Sequence, residues 1–162
     1  PGRSYFRNAG STTREGLELS LRKNITQKSN LQFIHTFTNY RFVNFNSNEN
    51  VLNGNYFPAI PRYFGKLNFL NELNRNTEFD LEIYYAGKVF LDDNNTSSNS
   101  NYILSSLNVK RKLILFDRPA TIFCYIENIF NKPYSSNIRM NAWGGRFFEP
   151  GPSRRYSIGI KF

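Results

Sequence analysis

Apolar and polar residues alternate along most of this chain, most strictly at its end. In residues 154–162, Tyr156, Ile158, Ile160 and Phe162 fall on one side of an extended strand, and Ser157, Gly159 and Lys161 on the other. The same period recurs upstream. Leu17, Leu19 and Leu21 alternate with Glu18, Ser20 and Arg22; Leu31, Phe33, His35 and Phe37 share a face. Phe79, Leu81, Ile83 and Tyr85 alternate with Asp80, Glu82 and Tyr84, and Leu107 and Val109 with Asn108 and Lys110. No stretch of helical period is long enough to compete.

Turn chemistry cuts this pattern into strands at residues 4–8, 13–23, 31–45, 62–73, 77–91, 102–115, 120–130 and 154–162. The connections at 24–30, 74–76 and 116–119 are short. Those at 46–54, 92–101 and 132–152 are long, and the first two are rich in Asn and Ser. Pro58 and Pro61 precede the fourth strand, where proline does not interrupt a ladder. The fold class expected is all-β: an antiparallel up-and-down meander of about eight long strands, one segment of a transmembrane β-barrel. Short turns then line one rim and long loops the other, and Phe162 lies on the short-turn rim. The strands exceed the roughly 5–6 residues usual in soluble sheets and reach the roughly 9–11 that span a bilayer at a tilt.

Composition supports a two-faced sheet. Of 162 residues, 40% are hydrophobic and 17% aromatic, with 16 Phe and 10 Tyr. Mean hydropathy is nonetheless −0.53, as expected where greasy and wet faces average out. No apolar run is long enough for a membrane-spanning helix. The net charge is +9 and the pI about 9.8. The basic residues sit at strand ends and in loops, as Arg22, Lys23, Lys110, Arg111, Lys112, Arg154, Arg155, Arg139 and Arg146 do. They form no compact stripe, so nucleic acid is not expected as a partner.

Candidate chemistry is sparse. A single cysteine, Cys124, excludes an internal disulfide and reads as a small apolar strand residue; His35 has no His or Cys partner for a metal. Asp92-Asp93-Asn94-Asn95 resembles a calcium loop but lacks the Gly and Glu at their required offsets. Asp80, Glu82 and Glu127 read as groups facing a wet interior rather than as catalytic carboxylates. Gly144-Gly145 lacks the strand–loop–helix context of a phosphate loop. Asn24-Ile25-Thr26 and Asn95-Thr96-Ser97 fit the N-glycosylation pattern. The reading is of a non-enzyme with no cofactor and no metal. The loop at 132–152 carries Tyr134, Arg139, Trp143, Arg146 and Phe148, a candidate ligand-contact set: arginines and aromatic rings can hold an anionic, aromatic chelate. A loop that packs on itself and its neighbours, or on lipopolysaccharide, explains the same residues.

Four stretches resemble the carboxy-terminal barrel of TonB-dependent outer-membrane receptors. Residues 8–19 are similar to that family's N-A-G…R-x-G-x-E-L hairpin, and 54–62 to its G-N-x-x-P-x-x-P-R approach to a strand. Residues 127–134 are similar to its N-L-F-(N/D)-K-x-Y strand ending, with Ile129 in place of Leu, and 151–162 to its P-G-x-x-R closing strand. The resemblance implies a lumen-plugged barrel of roughly 22 strands, of which residues 1–162 are the carboxy-terminal part, without the plug domain and earlier strands. The chain starts without an initiator Met or signal peptide, as expected of a piece of something longer. It implies bacterial outer-membrane localisation and TonB-energised uptake of a scarce ligand: a ferric siderophore, with vitamin B12, haem or glycans as alternatives. Implied partners are outer-membrane lipid and lipopolysaccharide, TonB through the missing amino-terminal part, and the β-barrel assembly machinery. That machinery would read Tyr156, Ile158, Ile160 and Phe162 as an assembly signal. Two other readings stay open: a complete eight-stranded outer-membrane barrel with a structural or adhesion role, and a soluble β-barrel binding nucleic acid, which only the high pI suggests.

Overall fold

The computed structural model describes residues 10–47 and 50–162, with seven strands in one sheet. These are β1 (Ser11–Thr26), β2 (Ser29–Asn44), β3 (Tyr63–Asn74), β4 (Thr77–Ala86), β5 (Tyr102–Leu115), β6 (Arg118–Glu127) and β7 (Arg155–Lys161). Every neighbour is the next strand in sequence, and every pairing is antiparallel. The meander is therefore as expected. The short strand expected at 4–8 lies outside the described residues. β1 and β7 are the two edges and do not pair with each other, so the described strands form an open wall.

Cross-strand register carries the alternation coherently through the sheet. Leu31, Phe69, Leu81, Leu107, Ile126 and Tyr156 form one continuous row. Leu21, Phe33, Leu67 and Ile83 form a second on the same face. On the opposite face, Arg22, Gln32, Asn68, Glu82 and Ser106 are in line, next to Asn24, Asn30, Leu70, Asp80 and Asn108. A one-residue slip in any strand would break both rows. The polar face is tied together by Lys66–Glu82 at 3.3 Å and Lys110–Glu78 at 3.1 Å, and by Asn68 Nδ2 donating to Asp80 Oδ1 at 2.5 Å.

Several boundaries differ from expectation. The link at 24–30 shrinks to the turn Gln27-Lys28, because Asn24 and Asn30 are paired strand residues on the polar face, with Asn30 Nδ2 donating to Asn24 Oδ1 at 2.6 Å. Polar residues there mark a wet face rather than a loop. The strand expected at 77–91 ends at Ala86; the Tyr63 ring covers Gly87, and the chain resumes as a small hairpin of Val89–Phe90 with Ser98–Asn99. The strand expected at 120–130 runs from Arg118 and stops at Glu127, because Asn128 takes the left-handed conformation. Phe116-Asp117, both at positive φ, make the two-residue turn between β5 and β6.

The larger buried side chains lie towards the long-loop rim. Phe42 near the end of β2 and Leu52, Val89 and Leu91 in the long connections are buried, whereas Leu17, Leu21, Ile158 and Ile160 are at least half exposed on the apolar face. The loop expected at 46–54 is thus not wholly exposed: Leu52 is 2% exposed.

Candidate functional site

The three long connections form one layer on the rim opposite the short turns. Residues 54–57 run beside the end of β2, with Phe42 N donating to Asn55 O at 3.1 Å and Phe57 N to Tyr40 O at 3.1 Å. Phe42 stacks on Phe45 and Phe57, at 4.9 and 4.6 Å between centroids. The next connection docks onto this one. Ala59 N donates to Phe90 O at 2.8 Å, Tyr56 N to Asn95 Oδ1 at 2.8 Å, and Asn55 Nδ2 to Asp93 O at 2.9 Å. The third docks onto the second through Asn141. Its backbone N donates to Leu91 O at 2.9 Å, its Nδ2 to Asp93 Oδ2 at 3.0 Å, and its Oδ1 accepts from Asp93 N at 3.0 Å.

Asn128 anchors the third connection. It is 2% exposed and sits at φ 52°. Its Nδ2 donates to Lys132 O and Pro152 O, at 2.9 and 3.2 Å, and its Oδ1 accepts from Lys132 N at 2.8 Å. Asn131 repeats the device: at φ 50°, its Oδ1 accepts from Arg154 N at 2.9 Å. The two ends of a long loop are thereby clamped at the mouth of β6 and β7. Beyond the clamp, the region expected as open loop contains a hairpin of Ser135–Ile138 with Phe148–Pro150. A single helical turn, Trp143–Gly145, lies at its tip. Arg139 pairs with Glu149 at 2.6 Å, and hydrogen bonds from Asn137 and Arg139 hold the Glu149 carboxyl below its ordinary range.

The five candidate contact residues do not converge on one point. Tyr134 sits at the base of the loop, its ring covering Gly151 and tilted against Tyr102 at 5.4 Å, which lies 6.0 Å from Tyr84. Burial and the nearby Glu127 carboxylate raise the Tyr134 hydroxyl above its ordinary range. Arg139 is committed to Glu149, and Phe148 packs edge-on against Phe147. Trp143, 88% exposed, and exposed Arg146 project at the tip. The tyrosine ladder is the better-formed feature, and Tyr84 and Tyr102 were missed as candidates. Their signal was parity: both occupy polar-face positions yet are aromatic.

Other candidates resolve as structure. Burial favours protonation of Asp92, but hydrogen bonds from Thr96 N and Oγ1 and from Ser97 N, at 3.0, 3.1 and 2.7 Å, outweigh it and hold the carboxyl below its ordinary range. Its oxygens close a turn. Among the described residues no group of three or more His, Cys, Asp or Glu could hold a metal. Glu82 and Glu127 are paired with Lys66 and Arg155, and Asp80 with Asn68. Cys124 is a free thiol in β6. His35 lies on the apolar face, stacked on Phe33 and hydrogen-bonded through Nδ1 to the Tyr85 hydroxyl, which reaches it across Gly65. A Cβ at Gly65 would lie 2.7 Å from that hydroxyl oxygen.

A wall charged on one side and greasy on the other, short-turned below and roofed by interlocked loops, defines the class of membrane-spanning β-barrels. Within that class the chain belongs to the TonB-dependent receptors: the family model for the "TonB dependent receptor-like, beta-barrel" domain matches residues 1–129. The match includes Asn128, the anchor of the clamp, and stops before the hairpin of the third connection and β7. The fold is similar to the siderophore receptor PiuA of Acinetobacter baumannii, with a TM-score of 0.75 and 18% identity over 92% of this chain and 21% of that one. It is similar to BauA, the ferric preacinetobactin receptor of Acinetobacter baumannii, with a TM-score of 0.76 and 18% identity over 94% and 22%. It is likewise similar to the ferric yersiniabactin uptake receptor FyuA of Yersinia pestis, with a TM-score of 0.72 and 18% identity over 94% and 23%. The chain spans between a fifth and a quarter of the length of these receptors.

Proposed function

We propose that this chain is the carboxy-terminal wall of an outer-membrane receptor that takes up a ferric siderophore, with energy delivered through TonB. The observation that carries the reading is the unbroken two-faced register beneath a single loop layer. Such a wall meets lipid with one face and a polar lumen with the other, while the loops stand ready for ligand. The names of the similar structures support iron chelates over the other cargoes. The chain's own chemistry agrees: Tyr84, Tyr102 and Tyr134 offer a run of tilted aromatic rings, and Trp143 and Arg146 stand exposed at the loop tip to meet an anionic, aromatic chelate. No covalent step is involved.

The test is uptake of radio-iron, presented as catecholate, hydroxamate and citrate chelates, by cells carrying the full-length receptor as their sole ferric receptor. Uptake of at least one chelate is expected, and it should vanish when TonB is deleted. The double substitution Tyr102→Ala with Trp143→Ala should weaken chelate binding by about 1–3 kcal/mol if both rings stack on it. Uptake of no ferric chelate, with the receptor folded in the outer membrane, would overturn the iron reading.

A further inference from the structure

The alternation at the end of the chain fixes which residues share a face but leaves the position of β7 along β6 open. Tyr156, Ile158, Ile160 and Phe162 are all apolar, so a slip of two residues returns apolar side chains to the same face. β7 is also an edge, held from one side only among the described strands. What distinguishes one register from the next must therefore lie on the opposite face.

On that face β7 offers Arg155, Ser157, Gly159 and Lys161, and the glycine is the one opposite Phe123. Phe123 is an aromatic ring on the polar side of β6, in line with Lys110. Its ring occupies the space a side chain at Gly159 would take: a Cβ there would stand 2.3, 2.8 and 2.9 Å from three ring atoms, nearer than a Cβ can come. Of the seven residues of β7, Gly159 alone is not exposed. A glycine inside a strand costs conformational entropy, and close approach of a neighbour is what such a position ordinarily serves. Ser157 or Lys161 in its place would drive the ring out. One rival exists. Tyr125 lies two residues on along the same face, in register with Ser157, and a two-residue slip would bring Gly159 opposite it and Lys161 opposite Phe123. The Arg155–Glu127 ion pair on this seam is solvent-exposed and decides little.

We infer that Phe123 seated on Gly159 sets the register of the terminal strand: ring and glycine form a catch that admits one of the registers the apolar face allows and rejects its neighbours. The inference concerns how the barrel wall is aligned and does not depend on the cargo.

Cys124 supplies the gauge, because it is in register with Ile158 across the seam. In the full-length receptor, with any other cysteine changed to serine, a second thiol would be introduced by Tyr156→Cys, Ile158→Cys or Ile160→Cys. Outer membranes would be oxidised with copper phenanthroline and the linked peptides read by mass spectrometry. The parent should link through position 158 alone. Phe123→Val keeps a strand-forming side chain without the ring; it should move part of the linkage to position 160, as Gly159 passes opposite Tyr125, and Phe123→Tyr should return it to 158. A second measurement stands even if Phe123→Val does not insert. Gly159→Ala should lower the temperature at which the heat-modifiable band is lost, although alanine in a strand ordinarily holds better than glycine. Linkage of Phe123→Val through position 158 alone would overturn the inference and assign the register to the clamp at Asn128 and Asn131. Gly159→Ala as heat-stable as the parent would overturn it as well. Either failure leaves the receptor reading standing, which radio-iron uptake tests separately.

Discussion

Asn128 does the most at a single position. Its amide satisfies three backbone groups of the clamp while its own backbone holds a left-handed turn, which asparagine tolerates better than most residues. Asn128→Ala would orphan those part-buried groups and place alanine at positive φ. We expect the full-length receptor to lose about 3 kcal/mol of unfolding free energy, measured in urea in lipid vesicles. A loss below about 1 kcal/mol would show that water replaces the amide at no cost. The family-like run at 127–134 pointed to this asparagine, but nothing local said what it binds: Pro152 is 24 positions away. His35 shows the same limit. Its lack of a metal partner was legible, whereas its bond to Tyr85, 50 positions on, depends on a glycine in the strand between.

At the level of the element, strands were legible and their ends were not. Alternation identified the apolar faces of β1, β2, β4, β5 and β7, because exposure to one side or the other repeats with the backbone's own period. Boundaries failed where polar residues continue a strand along its wet face, as at Asn24 and Asn30, or where one residue's φ ends it, as at Asn128. The hairpin inside the third loop carried no alternation signal, since it is short and held by Arg139–Glu149 and by Asn141 contacts far away in sequence. The face assignment has a direct test in the full-length receptor. Leu19 pairs with His35 on the apolar face, and Ser20 with Ile34 on the polar one. Leu19→Arg should cost about 2–4 kcal/mol of barrel stability near the bilayer midplane, and Ser20→Arg much less. Equal losses in heat-modifiable, inserted protein would mean that the two faces are wrongly assigned.

For the whole molecule, the sheet places its chemistry at its margins. β7 is an edge, with Tyr156 and Ile158 exposed on the greasy face and Phe162 at the short-turn rim beside β6. An edge strand with free backbone groups and one apolar face can be taken up by another sheet during insertion. If Tyr156, Ile158, Ile160 and Phe162 form the assembly signal, deleting Phe162 from the receptor should greatly slow the appearance of surface-exposed barrel. If Phe162 is only an interfacial anchor, the same deletion should leave the assembly rate unchanged and lower stability slightly. Pulse-chase labelling with surface protease digestion distinguishes the two. The partners proposed at this scale rest on resemblance alone, because a two-faced alternation of residues names no partner.

The bonds between the three loops bear on how such a receptor can change. Asn141 grips Asp93, and Asn95 and Asp93 grip the segment at 55–56. A loop transplanted from a related receptor would arrive without its counterparts and leave the Asp93 and Tyr56 backbones and the Asn95 side-chain amide without their partners. If the loops recognise cargo as proposed, they are inherited as a set: new specificity would come either from exchanging all three connections together or from changing residues at the tip, such as Trp143 and Arg146, on which none of those bonds depends.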